Sequence, residues 1–412
     1  MRIIHLNAND TIGGAAIAAK RLRDSQRDQG ADAVLLVGDH QVADPHTYSL
    51  GNALIAKVRF VVERFYFRFF EKSARERFAF SPLVSGISLH QHPAILKADI
   101  LHLHWVNFGF FSPRTFKQFF QLKKPLFITL HDMWWITGGC HHAGDCEKYT
   151  MSCGDCTLYL KNPAPHDLSH RQWIIKQDAY LPASIHWIAC SEWLAKKVRA
   201  SSLGKSFPVS VVPNPLDMAV FSPGSQSEAR ISLDLDPTKH YILVVAAKVE
   251  VLWKGIDLLI AASHHFPAQT ELLVVGQMEA STAQQMGVPV KSMGVIRDPQ
   301  KMARLYQAAD VFVISSRFEN LPNTLMEAMG CGIPCVGFSI GGIPEMIDHL
   351  ATGYVASPFD PVDLAHGVQL SLQNKETWGK SGFEKALRTY KKEVVVQQIL
   401  DLYTARLQSA AR

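Results

Sequence analysis

Residues 315–345 read SSRFENLPNTLMEAMGCGIPCVGFSIGGIPE. The apolar run Val311–Ile314 just before them predicts a β-strand, and Pro322 after the polar turn predicts the start of a helix that continues to Met329. The first turn of such a helix presents unpaired backbone N–H groups and the positive end of the helix dipole. This arrangement is suited to binding a phosphate or a diphosphate.

Two carboxylates flank this predicted anion site: Glu319 lies in the turn and Glu327 in the helix. Because a carboxylate repels a phosphate that it touches, the hydroxyl groups of a sugar and of a ribose are the more natural partners. A second predicted strand, Pro334–Phe338, leads to Gly341 and Gly342, which would allow a close backbone approach to a ligand. The residue-based alternative is an ordinary strand–helix repeat with surface glutamates.

The run E-x7-E, followed by A-M-x-C-G-x-P and G-G-x-P-E, resembles the donor-binding signature of the retaining glycosyltransferases of family 4 (glycosyl transferases group 1). That family has the GT-B fold, and the resemblance is to members that build surface polysaccharides of the colanic acid, capsule or O-antigen type. It implies that Glu319 contacts the donor sugar and that Glu327 holds the ribose hydroxyls. Four further residues are expected to line the donor pocket: Asn320, Leu321, Asn323 and Thr324. Many members have Phe-Gly directly after the first glutamate, so the sugar side of this pocket is expected to differ.

A diphosphate also needs positive charge, which the segment AAKVEVLWKGIDLL offers in Lys248 and Lys254. The resemblance implies that both lysines contact the diphosphate. The family more often has arginine at the position of Lys248, and lysine supplies a point charge without the bidentate fork. Without the surrounding pattern, two solvated surface lysines would be an equally good interpretation.

The chain has 412 residues, 47% of them hydrophobic, which is enough for two domain cores. We find no continuous apolar run of about 18 residues and no signal-peptide pattern in the opening MRIIHLNANDTIGG, so a cytoplasmic protein without a membrane span is expected. The net charge of +5 is too modest to call for a nucleic-acid partner.

Apolar strands alternate with helical segments throughout, which predicts an α/β protein with two doubly wound, Rossmann-like domains and a cleft between them. We expect an N-terminal, acceptor-side domain over 1–212, a donor domain over 213–390, and a last helix over 391–412 that crosses back. In the first domain, Gly13 and Gly14 form a glycine turn before a helix, as in nucleotide-binding folds. The predicted strands are Arg2–Leu6, Ala33–Val37, Asp99–His104, Leu126–Leu130, Ile185–Cys190, Val209–Val212, Tyr241–Ala246, Glu271–Val275, Val311–Ile314, Pro334–Phe338 and Gly353–Ala356.

Histidine supplies the first domain's candidate site. His131 comes just after an apolar strand, where a parallel sheet places its ligand-facing residues. It matches the family's T-x-H motif, which implies a role in orienting the donor sugar; a structural histidine is the alternative. His102 and His104 lie at alternate positions of the preceding strand, and we expect them to support the site or the core.

Four of the seven cysteines fall in the loop 138–160: Cys140, Cys146, Cys153 and Cys156. The spacing C-x5-C-x6-C-x2-C in a cytosolic protein favours a structural zinc over two disulfides, although it is irregular for the common zinc folds. Two disulfides or free thiols remain the alternatives. Cys190, Cys331 and Cys335 lie in or beside apolar segments and are expected in the core.

Residues 57–77 carry seven basic and three acidic side chains interleaved with aromatic residues. At helical spacing this predicts an aromatic face edged with arginine, typical of a helix that lies on an anionic membrane. A helix that packs this face on the protein's own core is the alternative interpretation.

The family resemblance implies a retaining hexosyltransferase that moves a sugar from a nucleotide-diphosphate sugar to a glycan or a polyprenyl-diphosphate-linked acceptor. No D-x-D-like motif lies near the site, so no metal cofactor is expected for catalysis. A GT-B nucleotide-sugar 2-epimerase and a non-catalytic carbohydrate-binding relative are the alternatives.

Overall fold

The structure is a computed structural model that describes residues 1–410. The chain forms two compact units. Unit 1 contains Met1–Pro213 together with the chain from Val396 onward, and unit 2 contains Asn214–Val395.

Unit 1 is built on a sheet of seven parallel strands in the order β3-β2-β1-β4-β5-β6-β7. The central strands are almost continuously apolar and buried, because helices cover both faces of a parallel sheet. The strands are β1 (Arg2–Asn9), β2 (Asp32–Asp39), β3 (Thr47–Ser49), β4 (Ile100–Leu103), β5 (Leu126–Leu130), β6 (Ile185–Ala189) and β7 (Val209–Val211). The helices are α1 (Gly14–Asp28), α2 (Ala53–Arg68), α3 (Pro93–Leu96), α4 (Pro113–Phe120), α5 (Leu168–Tyr180) and α6 (Glu192–Ala200).

Unit 2 has a second parallel sheet, of six strands in the order β10-β9-β8-β11-β12-β13. Its strands are β8 (His240–Lys248), β9 (Thr270–Gln277), β10 (Val290–Gly294), β11 (Val311–Ile314), β12 (Cys335–Phe338) and β13 (Gly353–Ala356). The remaining helices are α7 (Gln226–Ser232), α8 (Ile256–Ser263), α9 (Ala280–Ala283), α10 (Pro299–Ala308), α11 (Asn323–Gly330), α12 (Ile343–Met346), α13 (Pro361–Gln373), α14 (Lys375–Thr389) and α15 (Lys392–Ala410).

The predicted α/β class with two Rossmann-like domains is confirmed, and each predicted strand corresponds to an observed one within a few residues. In both sheets the strand order reverses beside the first strand of the unit, since β4 lies next to β1 and β11 next to β8. Such a reversal creates a crevice at the carboxyl ends of the strands, where ligands of doubly wound sheets bind.

The single helix predicted over 57–77 is wrong in its second half, because α2 ends before it. Beyond α2 the chain pairs with the end of the cysteine loop instead: the Lys72 N–H donates to the Tyr159 carbonyl at 2.9 Å, and the Lys161 N–H donates to the Phe70 carbonyl at 3.0 Å. These bonds take the backbone groups that a longer helix would need.

Over residues 1–410, none of the helices combines the length and the apolar character that crossing a bilayer requires.

Candidate functional site

The segment 315–345 forms the predicted strand, turn and helix. α11 starts at Asn323, and Pro322 is its N-cap with no side-chain cap hydrogen bond. The Asn214 side-chain amide donates to Oδ1 of Asn323 at 3.0 Å and so ties the start of unit 2 to this helix. The first turn of α11 therefore has the polarity for an anion without a capping side chain from the residue before it.

Lys254 and Glu319, 65 positions apart in the chain, form an ion pair with Nζ 2.6 Å from Oε1. Two further bonds tie the loops that carry them: the Ser315 hydroxyl donates to the Lys254 carbonyl at 2.9 Å, and the Arg317 N–H donates to the Trp253 carbonyl at 2.8 Å. The pair is partly exposed, with 32% of the lysine side chain and 12% of the glutamate side chain accessible. The lysine predicted to contact the diphosphate and the glutamate predicted to contact the donor sugar thus lie side by side.

Two glycines allow these loops to approach each other. Gly255 has φ of +64°, and a Cβ there would lie 2.0 Å from the Ser315 carbonyl oxygen. Gly341 has φ of +53°, and its Cβ would lie 1.7 Å from the carbonyl oxygen of Glu319. The close neighbour of Gly341 in the protein is thus the backbone of Glu319, and its approach to a ligand stays a prediction.

Glu327 is buried rather than solvated. It is 6% exposed, and the Tyr306 hydroxyl of α10 donates to its Oε2 at 3.0 Å. Tyr306 is itself fully buried, so it fixes the orientation of this carboxylate. Nothing in the sequence marked Tyr306, because the contact joins two helices and leaves no local pattern.

The other predicted donor residues of unit 2 lie in the loop before α11, in the first turn of α11 and at the end of β8. Asn320 and Leu321 are buried, Thr324 is half-buried in the first turn of α11, and Lys248 is exposed at the carboxyl end of β8. In unit 1, Gly13 is the N-cap of α1 with φ of +87°, and Gly14 is the first residue of that helix.

His131 follows β5 directly and is half-buried. Its Nε2 lies 3.2 Å from Nδ1 of His104. Burial lowers the pKa of His131 to about 4, although the Asp132 carboxylate opposes this effect. The imidazole is therefore neutral at physiological pH.

Asp132 links this histidine to the cysteine loop. Its Oδ2 lies 2.7 Å from Nδ1 of His141 and accepts from the Trp105 indole N–H at 3.2 Å, while Oδ1 accepts from the Trp134 N–H at 2.8 Å. Burial alone would raise the pKa of Asp132, but His141, the charge of His142 and the Trp134 N–H lower it to about 2. Sequence reasoning missed this ionised anchor, although Asp132 adjoins the T-x-H motif.

The loop 138–160 gathers the four predicted zinc ligands in one region of the unit 1 core. Burial raises the pKa of Cys140, and the neighbouring thiols of Cys153, Cys156 and Cys146 add to that effect. The Gly138 N–H donates to Sγ of Cys153 at 3.1 Å. Cys190, Cys331 and Cys335 are buried elsewhere, as predicted.

The exposed face of α2 is more aliphatic than the sequence suggested. Large apolar side chains with 43–69% exposure follow one another at helical spacing: Leu54, Ile55, Val58, Val61, Val62 and Phe65. Arg64 does not edge this face: it is buried, paired with Glu63 at 2.7 Å, and it donates to the carbonyls of Arg77 and Phe80. Phe67 is buried as well.

The model of the family described as Glycosyltransferase Family 4 matches residues 12–220, just over half of the chain. The chain belongs to glycosyltransferase family 4. A second model, described as Glycosyl transferases group 1, matches residues 239–374, so both units of this family 4 protein are covered.

Among curated relatives, a D-inositol 3-phosphate glycosyltransferase of Segniliparus rotundus is 29% identical over 219 residues, 49% of this chain and 48% of that protein. An Escherichia coli strain K12 protein named as a colanic acid biosynthesis glycosyl transferase, WcaC, is 28% identical over 269 residues, 62% of each chain. The chain thus spans about half to three-fifths of the length of these relatives.

Solved structures share the fold along the whole chain. Sucrose-phosphate synthase of Thermosynechococcus elongatus has a TM-score of 0.67 at 19% identity and covers 100% of both chains. Anabaena HepE in complex with UDP-glucose has a TM-score of 0.65 at 17% identity, covering 98% of this chain and all of its own. WaaG, a glycosyltransferase involved in lipopolysaccharide biosynthesis, has a TM-score of 0.63 at 14% identity, with 98% and 99% covered. At these identities the likeness establishes the GT-B type of fold.

Proposed function

We propose that this family 4 protein transfers a hexose, with retention of anomeric configuration, from a nucleotide-diphosphate sugar to a glycan or a polyprenyl-diphosphate-linked acceptor in surface polysaccharide synthesis. The observation that carries the proposal is the ion pair of Lys254 and Glu319 beside the first turn of α11. Cation, carboxylate and helix N-terminus are the groups that a diphosphate and its sugar require. HepE, crystallised with UDP-glucose, has this type of fold.

In the proposed reaction the bond between the anomeric carbon and the diphosphate oxygen breaks, and the acceptor oxygen bonds to that carbon on the same face. The leaving diphosphate takes the acceptor hydroxyl's proton. Lys248, Lys254 and the N–H groups of α11 stabilise the charge that grows on the diphosphate. Glu327 holds the ribose, Glu319 the donor sugar, and His131 orients that sugar.

A thermal-shift screen against nucleoside-diphosphate sugars, followed by transfer assays with the best stabilisers, tests this function. Transfer should persist after EDTA treatment, since no D-x-D-like motif lies near the proposed site. Loss of transfer in EDTA, with recovery in manganese, would contradict the metal-independent mechanism. A new sugar isomer on the intact nucleotide, formed without acceptor, would instead favour the epimerase.

The exposed apolar face of α2 supports a second part of the proposal, peripheral binding to an anionic membrane. Lys57, Arg68, Lys72 and Arg75 are exposed in α2 and the segment after it. Each basic side chain near an anionic surface contributes about 1 kcal/mol, and buried apolar side chains add to this. A lipid-linked acceptor would be confined to that surface.

Co-sedimentation with vesicles tests the membrane contact. The protein should bind anionic vesicles at low salt and less at high salt. Binding should be lost when Lys57, Arg68 and Arg75 are replaced by glutamate. These three side chains are exposed and take no part in the buried ion pair of Arg64 with Glu63. A matched variant with glutamate at three exposed lysines elsewhere has the same net charge and should still bind; it changes Lys196, Lys205 and Lys301. Equal binding by the two variants would refute the contact.

We also propose that the four cysteines of loop 138–160 hold a structural zinc. The proximity of their thiols and the N–H bond to Sγ of Cys153 support it. Within the described residues, the ligand atoms of His5, His102 and His104 lie within 4.8 Å of one another. No three of the loop sulfurs lie as close together as that. A tetrahedral zinc with bonds of about 2.3 Å would therefore draw the loop closer together.

Metal analysis of protein purified under reducing conditions tests the zinc proposal. We expect about one zinc per chain, lost in Cys153→Ser and kept in Cys190→Ser, which changes a buried cysteine outside the loop. Metal-free wild-type protein with four reactive thiols, or an intact mass that shows two disulfides, would overturn it.

A further inference from the structure

A chain of hydrogen bonds runs through the interior of unit 1 to His131. Oε1 of Gln26 on α1 lies 2.7 Å from Nε2 of His5 on β1. Nδ1 of His5 lies 3.0 Å from Nε2 of His104, which follows β4. Nδ1 of His104 in turn lies 3.2 Å from Nε2 of His131. Gln26, His5 and His104 are at most 1% exposed, so water does not interrupt the chain.

These imidazoles are neutral at physiological pH. Burial lowers the pKa of His5 to about 4, with Arg23 adding to the effect, and it lowers the pKa of His104 well below the usual range. A neutral imidazole has one N–H donor and one bare acceptor nitrogen. Each ring must therefore donate to one neighbour in the chain and accept from the other.

The amide of Gln26 sets the direction of this chain. Its oxygen accepts from Nε2–H of His5, so Nδ1 of His5 is bare and accepts from His104. Nδ1 of His104 is then bare and accepts from Nε2–H of His131. The amide nitrogen of Gln26 donates to the Tyr403 hydroxyl at 3.4 Å, so both ends of the amide have a partner in this orientation.

We propose that Gln26, His5 and His104 are positioning residues that hold His131 as the tautomer protonated on Nε2, with Nδ1 as a hydrogen-bond acceptor. An acceptor nitrogen suits a sugar hydroxyl, which can donate to it. This catalytic consequence rests on the proposed function. The tautomer itself does not, because it is argued from the Gln26 amide oxygen beside His5 and not from the reaction.

Neighbouring groups hold the rings in place. His102 stacks on His104 with ring centroids 4.4 Å apart, and its own nitrogens are engaged by the Thr129 hydroxyl at 2.7 Å and by the Tyr403 hydroxyl. His5, His102 and His104 could also be considered a metal site, since their ligand atoms lie within 4.8 Å. Metal binding would break the hydrogen bonds that their nitrogens already make.

Nitrogen-15 NMR of histidine-labelled protein, without donor or acceptor, tests the proposal because bare and protonated ring nitrogens resonate apart. The His131 signals are assigned by their loss in His131→Asn. We expect Nε2 to carry the proton in the wild type. Gln26→Met removes the acceptor and should give mixed tautomers. Gln29→Met, at an exposed position after the same helix, is the matched control.

Transfer assays on the same variants separate the proposed tautomer of His131 from its proposed role in transfer. Gln26→Met should lower kcat roughly 2- to 10-fold with little change in KM, the effect of one lost hydrogen bond, and Gln29→Met should leave both unchanged. A wild-type His131 protonated on Nδ1, or an unchanged tautomer in folded Gln26→Met, would overturn the chain. A shifted tautomer with unchanged transfer would support the chain and refute the role of His131 in transfer.

Discussion

Lys254 Nζ lies 2.6 Å from Glu319 Oε1, so the cation proposed for the diphosphate is already paired with the carboxylate proposed for the sugar. A diphosphate must then compete with Glu319 for this lysine. The pairing orients both side chains before the donor arrives, and it offsets part of the attraction between Lys254 and the phosphate.

The first prediction concerns this competition. Lys254→Ala should weaken binding of free nucleoside diphosphate by about 1.5–3 kcal/mol, the range for a hydrogen bond to a charged group. Glu319→Gln should leave that binding unchanged or tighter, because it removes the competing charge, while it lowers transfer. Calorimetry on folded protein measures both. Lys239→Ala breaks an ion pair with Glu271 at the opposite end of β8 and serves as the control. Equal weakening by Lys254→Ala and Glu319→Gln would contradict the assignment.

The second prediction concerns Glu327. Glu327→Ala should cost about 1.5–3 kcal/mol of nucleoside diphosphate binding if the carboxylate accepts from the ribose hydroxyls. Tyr306→Phe removes only the phenol that orients this carboxylate, so a smaller loss, about 1 kcal/mol, is expected. The deoxyribose analogue of the nucleotide provides a check. Glu327→Ala should weaken binding of this analogue less than it weakens binding of the ribose nucleotide. An equal loss of binding free energy for the two nucleotides would show that Glu327 does not hold the ribose.

The third prediction uses two glycines with similar backbone angles. Gly341→Ala should destabilise the protein by more than the 1–2 kcal/mol that a positive φ costs, because its Cβ would meet the Glu319 carbonyl. Gly294 has φ of +66° and open space around its Cβ, so Gly294→Ala should show the backbone cost alone. Urea unfolding measures both. Gly341→Ala should also lower the rate of transfer, because it displaces the backbone of Glu319. If Gly341→Ala and Gly294→Ala lost equal stability, the loop would accommodate the extra Cβ without cost.

The fourth prediction is a loss of stability in mild acid. The folded pKa values of His5 and His131 are lowered from 6.5 to about 4, and those of His102 and His104 well below 6.5. Below pH 6.5 the unfolded chain binds protons that the folded chain does not, so the free energy of unfolding falls by about 1.4 kcal/mol per pH unit for each titrating histidine. Burial also lowers the pKa of His186 to about 4. Glu63 acts in the opposite sense, since burial raises its pKa to about 7, but it is one group against these five histidines.

Urea unfolding at pH 7.5, 6.5 and 5.5, followed by tryptophan fluorescence, measures this dependence. Stability should drop between pH 6.5 and 5.5, and the slope should be smaller in His5→Gln, which keeps a hydrogen-bonding side chain without a titrating ring. A stability that stays constant or rises on acidification across this range would show that the histidines are protonated in the folded state.

The sequence predicted the central strands well because buried parallel strands are continuous apolar runs, as in β5 and β11. It missed β3 and β10, which lie at one edge of each sheet and pair with a neighbouring strand on one side only. Their residues, TYS and VKSMG, show no apolar run. The loop and helix of the proposed donor site were predictable because their residues are contiguous. The contact of Tyr306 with Glu327 and the chain from Gln26 to His131 were not, since each joins side chains from separate elements.

The two sides of α2 obey separate chemical requirements. The inner side is fixed by Glu63, which pairs with Arg64 and accepts from the Gly109 N–H at 2.7 Å, and by the stacking of Phe67 on Phe80 with ring centroids 5.0 Å apart. The apolar side chains of the outer side, between Leu54 and Phe65, are 43–69% exposed. Polar substitutions on the outer side should therefore leave the fold intact. A variant with a lower tendency to aggregate could be engineered in this way without changes to the core.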